Sequence, residues 1–248
     1  MAIGVFDSGV GGLNLFSRLR LSMPKVDLHY YADRDHVPYS YHSPDEILSY
    51  VKEAEAFLRA QGCALLLLAC NTATSVAAQY LRMHSPLTII GMEPAIKPAY
   101  TYVQEKGGRV LVAATPVTLS QPKLKKLLEE LHAETEVDLC PLPGLVERAE
   151  QGDFNMQEAA SYLKDMLAHK RLEDYSAVVL GCTHFSYFKE AFQQIFTCPV
   201  AYFDGYDGTV QQVIKYHHQV EEEGQSFFWE SGRATKEEAY KKWLERTL

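Results

Sequence analysis

The chain has 248 residues, 47% of them hydrophobic, and a formal net charge of −8. This length supports one large hydrophobic core or two smaller ones, and the acidic balance argues against nucleic acid or a membrane as the main partner. No apolar run approaches the roughly 20 residues of a membrane-spanning helix. The N-terminal residues MAIGVFDSGVGG carry no basic stretch before their apolar run, so no secretion signal is predicted. We therefore expect a cytoplasmic protein with reduced cysteines.

Short apolar runs alternate with longer segments of helical periodicity. The predicted strands are, in chain order, AIGVFD, DLHYYAD, ALLLLAC, LTIIGM, RVLVAAT, ETEVDLC, AVVLGC and PVAYFD. Helices are predicted at 44–61, 121–131 and 155–170, the first with Ser43 as its N-cap and Pro44 in its first turn. This alternation predicts an α/β fold with mainly parallel sheets, which bind ligands beyond the carboxyl ends of their strands.

Two predicted strands that end on cysteine resemble each other. The segment LLLLACNTAT contains Cys70, and the later segment AVVLGCTHFS contains Cys182. We interpret them as equivalent parts of two similar α/β halves that face each other across a cleft. Chance is the alternative, because aliphatic strands that end in a small residue are common in this fold class. The shared cysteine and the polar residues after it favour a real relation.

A thiol at the end of a parallel strand lies where α/β proteins place active sites, and the next helix can stabilise its thiolate. The neighbours suited to assist the two thiols are Asn71, Thr72, Thr183 and His184. Three uses are open: a redox disulfide, a metal site, or proton transfer at carbon with one thiol on each face. The paired halves favour proton transfer. A small buried hydrophobic role, usual for free cysteines, is assigned to Cys63, Cys140 and Cys198.

The motifs IGVFDSGVGGL, PYS, ACNTAT, GMEPAIKPA and LGCTH occur in the order seen in glutamate racemases. On these motifs the chain resembles the glutamate racemases of the cofactor-independent aspartate/glutamate racemase superfamily over nearly its whole length. The resemblance implies two α/β domains related by a pseudo-twofold axis. Residues 1–92 with 204–248 would form the first domain, and residues 93–203 would form the second, inserted domain.

The resemblance also implies an isomerase that interconverts L- and D-glutamate by two-cysteine proton transfer and supplies D-glutamate for peptidoglycan synthesis. No metal, pyridoxal phosphate or other cofactor is expected, and a homodimer is a possible assembly. The implied catalytic residues are Cys70 and Cys182, assisted by Asp7, His184 and Glu147. The implied substrate-binding residues are Asp7, Ser8, Tyr39, Ser40, Asn71, Thr72, Thr115, Thr118, Thr183 and His184.

Several positions depart from the family pattern. Ser40 stands where glycine is usual, and a serine there would be strained if the position required a positive φ. Phe185 and Ser186 alter the segment after Cys182, and FDGYDG replaces a late serine-containing segment. These departures leave aspartate, hydantoin or another α-substituted acid open as substrate, and a non-catalytic binding module as a third hypothesis. Without the resemblance, DSGVGG is interpreted as a tight turn whose glycines permit unusual backbone angles.

Overall fold

The structure is a computed structural model, and it describes residues 2–216 and 224–247. The strands in this part of the chain are β1 (Ala2–Asp7), β2 (Leu28–Ala32), β3 (Cys63–Leu68), β4 (Thr88–Gly91), β5 (Arg109–Ala114), β6 (Val137–Pro141), β7 (Tyr175–Leu180), β8 (Ala201–Phe203), β9 (Ser226–Glu230) and β10 (Arg233–Thr235). All eight predicted strands are confirmed. The pair β9 and β10 was not predicted.

The α-helices in the described residues are α1 (Leu13–Ser22), α2 (Pro44–Ala60), α3 (Asn71–His84), α4 (Ile96–Lys106), α5 (Pro116–Ser120), α6 (Pro122–Leu131), α7 (Pro143–Gln151), α8 (Met156–Met166), α9 (Lys189–Ile195), α10 (Tyr206–Tyr216) and α11 (Lys241–Leu244). Short 3-10 helices lie at Tyr39–Tyr41, Leu172–Asp174, Thr183–Phe188 and Glu237–Tyr240. None of the described helices is long and apolar enough to cross a membrane.

The chain divides into two compact units, one made of Met1–Met92 with Gly205–Leu248 and the other of Glu93–Asp204. The sheet of the first unit has the order β10-β9-β2-β1-β3-β4, and only the β9–β10 pair is antiparallel. The sheet of the second unit has the order β6-β5-β7-β8 and is entirely parallel. The predicted α/β fold with mainly parallel sheets is confirmed.

The four consecutive leucines of β3 are buried because helices cover both faces of the first sheet. Leu65 and Leu67 belong to a core cluster that also contains side chains from α1 and α10. Leu66 and Leu68 point to the other face and are also fully buried. Successive residues of a strand face opposite sides of the sheet, so a continuous apolar run is typical of a parallel strand covered on both faces.

The third predicted helix is shorter than expected. The prediction covered 155–170, whereas α8 ends at Met166. The following residues form a turn in which the Lys170 amide donates to the Leu167 carbonyl at 2.9 Å. This turn lets the Lys170 ammonium donate to Asp138 Oδ1 at 3.1 Å. An ion pair with β6 therefore replaces the last helical turn that sequence periodicity predicted.

The start of α2 follows the predicted capping pattern. The Glu46 amide donates to Ser43 Oγ at 3.3 Å, and the Ser43 amide donates to Glu46 Oε2 at 2.8 Å. Pro44 occupies the first turn, where its missing N–H is not needed. This capping box satisfies two backbone donors that the first helical turn leaves unpaired. It fixes the start of α2 directly after the 3-10 helix that contains Tyr39.

Replacing Ser43 with alanine is expected to lower the free energy of unfolding by about 1 kcal/mol, because the cap is lost. Chemical denaturation measures the change. Ser49→Ala is the matched control, since Ser49 is exposed within α2 and alanine favours a helix. Equal stability of the S43A variant and the wild type would contradict the capping role.

Candidate active site

Several predicted site residues lie at or just beyond the carboxyl ends of strands. Asp7 is the last residue of β1, and Cys70 follows β3 after one intervening residue. In the second unit, Thr115 directly follows β5 and Cys182 follows β7 after one residue. Each unit therefore carries one thiol at the edge of its parallel sheet where ligands bind in this fold class.

Cys70 is the N-cap of α3 and is only 5% exposed. Its Sγ accepts a hydrogen bond from the Ala73 amide at 3.5 Å and lies 3.5 Å from Ser8 Oγ. Because the N-terminus of a helix carries partial positive charge, negative charge on this sulfur is favoured. The contacts of Cys70 therefore favour the thiolate that an acid–base role requires.

Asp7 is fully buried, and Gly12 gives it room. Asp7 Oδ1 accepts a hydrogen bond from the Gly9 amide at 2.9 Å. A Cβ at position 12 would lie 2.7 Å from Asp7 Cβ and 3.1 Å from Asp7 Oδ2. The interpretation of Gly12 as a residue with an unusual backbone angle is wrong, because its φ is −65°. Glycine is needed there because the Asp7 side chain approaches so closely.

Gly12→Ala is expected to destabilise the protein by about 1–3 kcal/mol, because the added methyl group overlaps the buried Asp7 side chain. Thermal and chemical denaturation measure the change. Gly208→Ala is the control, since a Cβ at this helical position meets nothing within 4 Å. If both variants unfold like the wild type, Gly12 does not make room for Asp7.

Tyr39 is a buried neutral donor in the first unit. Its hydroxyl donates to Asp33 Oδ2 at 2.7 Å. Burial, reinforced by the charge and the hydrogen bond of Asp33, raises the pKa of Tyr39 far above its usual value. The negative charges of Cys70 and Asp7 act in the same direction. The Tyr39 phenol therefore stays protonated beside Cys70 and Asp7.

Ser40 and Asn71 each have a buried oxygen without a hydrogen-bond partner in the described part of the chain. Positive φ angles at non-glycine residues of the described chain occur at His132 and Ser231, so Ser40 carries no such strain. Among the described residues the serine hydroxyl and Asn71 Oδ1 have no hydrogen-bond partner, whereas Asn71 Nδ2 donates to the Met92 carbonyl at 3.2 Å. Unpaired buried polar atoms are costly and are typical of sites that bind ligands or water.

In the second unit, Cys182 lies beside a histidine–glutamate pair. Cys182 is 7% exposed, and its Sγ is 3.6 Å from Nδ1 of the buried His184. The other ring nitrogen, Nε2, is 2.6 Å from Glu150 Oε1. Burial lowers the pKa of His184, but the hydrogen bonds and charges of Cys182 and Glu150 outweigh this effect and raise it well above its usual value. The imidazolium can therefore stabilise a Cys182 thiolate.

Sequence reasoning missed Glu150. The prediction named Glu147, which lies one turn earlier on α7 and whose charge acts on Tyr162. The acid that bonds to His184 is Glu150. Both glutamates occur in the segment GLVERAEQG, and residues three apart lie on the same side of a helix. The helical period alone therefore does not distinguish them, and the role of Glu147 stays a prediction.

Glu150→Gln is expected to lower the pKa of His184, because the amide keeps a hydrogen bond but removes the negative charge that stabilises the imidazolium. A titration of the His184 ring protons by NMR measures the change. Glu147→Gln is the control and should change this pKa less. A larger shift from E147Q than from E150Q would contradict the assignment of the pair.

The threonines of the second unit are buried within local hydrogen bonds. Thr115 caps α5: its Oγ1 accepts from the Thr118 amide at 3.2 Å, and the two hydroxyls are 3.0 Å apart. Thr183 is 1% exposed, and its carbonyl accepts from Ser186 Oγ at 3.0 Å. Phe185 is fully buried near Phe192. The departures at 185 and 186 thus fit into the packing of this unit.

The remaining cysteines differ in their surroundings. Cys63 and Cys140 are buried, and burial raises the pKa of these thiols to about 12 and about 11. The prediction of a buried Cys198 is wrong: this residue is exposed, because it lies in the irregular turn between α9 and β8. None of the five cysteines, all of which lie in the described residues, forms a disulfide. The described residues contain no group of three or more His, Cys, Asp or Glu side chains placed to hold a metal ion.

Comparison with known proteins identifies the class. The Asp/Glu/Hydantoin racemase family matches residues 16–213. A glutamate racemase from Lachnospira eligens is 45% identical over 84% of this chain and 78% of that protein. One from Halothermothrix orenii is 40% identical over 99% and 98% of the two chains. The crystal structure of glutamate racemase from Thermus thermophilus in complex with β-chloro-D-alanine is 28% identical, with a TM-score of 0.77 over 99% of this chain and 92% of that one.

The chain therefore belongs to the Asp/Glu/Hydantoin racemase family and is an isomerase of the amino-acid racemase class. Such a reaction needs groups that accept and donate protons. The two thiols beyond the strand ends, with the polar groups that contact them, are candidates for this role.

Proposed function

We propose that the protein interconverts L- and D-glutamate, with Cys70 and Cys182 as the two acid–base groups. The observation that carries this proposal is that each unit has one thiol whose neighbours favour its thiolate. For Cys70 these neighbours are the N-terminus of α3 and Ser8. For Cys182 they are His184 and Glu150. The names of the two relatives support glutamate as the substrate.

The proposed reaction begins when one thiolate removes the α-proton of glutamate. The other group, protonated as a thiol, then gives its proton to the opposite face of the α-carbon, which inverts the configuration. The reverse reaction exchanges the two roles, so both enantiomers are substrates. The net charge of the site does not change, because the group that starts as a thiolate becomes a thiol and the group that starts as a thiol becomes a thiolate.

The assisting residues have separate tasks in this proposal. His184, held by Glu150, stabilises the Cys182 thiolate as an imidazolium. Asp7 attracts the substrate ammonium, which can also donate to the unpaired Asn71 Oδ1 and to the Tyr39 oxygen, whose own proton goes to Asp33. The Ser40 hydroxyl and the backbone amides at the start of α3 bind the carboxylates. The proton on an amino-acid α-carbon is weakly acidic, so fixed donors around the carboxylate must stabilise the carbanion-like state. The predicted donors Thr72, Thr115, Thr118 and Thr183 complete this set.

The biological role that follows is the supply of D-glutamate for peptidoglycan synthesis in the cytoplasm. The resemblance to bacterial glutamate racemases over nearly the whole chain supports this role. Aspartate and hydantoins are the alternative substrates, because the matching family includes racemases of all three compounds. The homodimer stays a prediction, and analytical ultracentrifugation, which measures the oligomeric state in solution, tests it.

Replacing Cys70 or Cys182 with alanine is expected to reduce racemisation of both enantiomers by at least about a hundredfold, because each half-reaction loses its proton carrier. The decay of the circular dichroism of pure D- and L-glutamate, without added cofactor, measures the rate. Cys198→Ala removes an exposed thiol and should keep wild-type activity.

Full activity in either single-thiol variant would contradict the mechanism. Racemisation of aspartate or a hydantoin in place of glutamate by the wild-type enzyme would contradict the substrate assignment and leave the two-thiol chemistry in place.

A further inference from the structure

The turn of the C-terminal hairpin contacts the loop that follows β2. We call Ser231 and Gly232, between β9 and β10, the hairpin tip. The Ser231 amide donates to the Ala32 carbonyl at 2.9 Å. Its hydroxyl donates to Asp33 Oδ1 at 3.1 Å and accepts from the Asp35 amide at 3.0 Å. One serine therefore makes three hydrogen bonds to the end of β2 and to the loop after it, about 200 residues earlier in the chain.

Asp33 connects the hairpin tip to Tyr39. The Asp33 side chain is buried, and its two oxygens accept from different hydroxyl groups. Oδ1 accepts from Ser231, whereas Oδ2 accepts from the Tyr39 hydroxyl at 2.7 Å. His36 Nδ1 lies 2.8 Å from Oδ1 and 3.0 Å from Oδ2, and the Asp33 amide donates to the Asp7 carbonyl at 3.0 Å. The carboxylate is thus held from several sides in the orientation that Tyr39 needs.

The hairpin itself is attached to the same loop by charge. Arg233 donates from both terminal nitrogens to the two oxygens of Asp35, at 2.7 and 2.8 Å. β9 pairs in parallel with β2, and Glu230 lies opposite Ala32 in this pairing. The sheet register therefore brings the hairpin tip to the carboxyl end of β2, beside Asp33.

The backbone at Ser231 supports a role for its hydroxyl. Its φ is 44°, in the left-handed region that favours glycine or asparagine, and the next residue, Gly232, has a φ of 80°. Glycine at position 231 would form this turn with less strain. The serine adds a hydroxyl that makes two of the contacts described above.

We propose that the hairpin tip positions Tyr39 for glutamate, with Ser231 as a positioning residue that acts through Asp33. This inference rests on the proposed function. Ser231 fixes Asp33 Oδ1, so that Oδ2 stays directed at the Tyr39 hydroxyl. Without Ser231 the Asp33 carboxylate keeps the partly exposed His36 as a partner but loses the hydroxyl donor to Oδ1. It is then held less firmly, and the acceptor that sets the place of Tyr39 in the substrate-binding loop is less fixed.

Ser231→Gly is the first test, because it removes the hydroxyl while it relieves the backbone. It is expected to raise the KM for glutamate roughly three- to tenfold with little change in kcat. This pattern is expected because Tyr39 contacts the substrate equally in the ground state and in the transition state. Ser231→Asn tolerates the positive φ and keeps a donor and an acceptor. Unlike S231G, it should therefore have a KM for glutamate close to the wild-type value. Ser226→Ala, at the opposite end of β9, removes a hydroxyl that accepts from Arg20 and should leave KM unchanged.

A double-mutant cycle with Tyr39→Phe separates positioning from a general structural effect. If Ser231 acts through Asp33 on the Tyr39 hydroxyl, S231G should not raise KM further in the Y39F background. The same increase in both backgrounds would overturn the proposal, and so would a KM for S231G within twofold of the wild type.

Hydrogen exchange of residues 33–42, measured by mass spectrometry without substrate, is independent of activity. S231G should accelerate exchange in this segment, and S226A should not. Unchanged exchange in S231G would overturn the positioning role. If the wild-type protein racemises neither enantiomer, the proposed function fails, and the exchange measurement alone decides whether the hairpin tip holds the loop.

Discussion

The proposed chemistry depends on the ionisation of two thiols. A cysteine ordinarily has a pKa near 8.5, and burial disfavours the charged form further. The two units place different groups beside their thiols. Cys70 caps a 14-residue helix and contacts Ser8, so oriented backbone dipoles supply the positive potential. Cys182 precedes only a short 3-10 helix, and the imidazolium of His184, paired with Glu150, supplies that potential.

The parallel sheets determine where these groups lie. Because both faces of each sheet are covered by helices, the strands are filled with apolar side chains and polar groups collect beyond their carboxyl ends. Close packing at that edge sets further requirements, such as the absence of a Cβ at Gly12 beside Asp7. In the first unit, Asp33 continues β2 and links Tyr39 to the C-terminal hairpin.

Sequence patterns predicted most of the fold, because apolar runs and capping residues act locally. The strand-end positions of Cys70 and Cys182 followed from the same patterns. The missed features depend on contacts between distant residues. The choice between Glu147 and Glu150 is made by His184, 34 residues later in the chain. The hairpin tip reaches Asp33 only through the pairing of β9 with β2, and the early end of α8 depends on the ion pair between Lys170 and Asp138.

The most direct test of the two-thiol mechanism is racemisation in heavy water of D-glutamate that carries ordinary hydrogen at its α-carbon. NMR and mass spectrometry analyse the products at early times. Transfer between two different groups predicts L-glutamate with deuterium at the α-carbon, while the remaining D-glutamate keeps its proton. L-glutamate that retains the original α-proton, or rapid deuterium exchange into the remaining D-glutamate, would contradict the mechanism, because a single group would then be serving both faces.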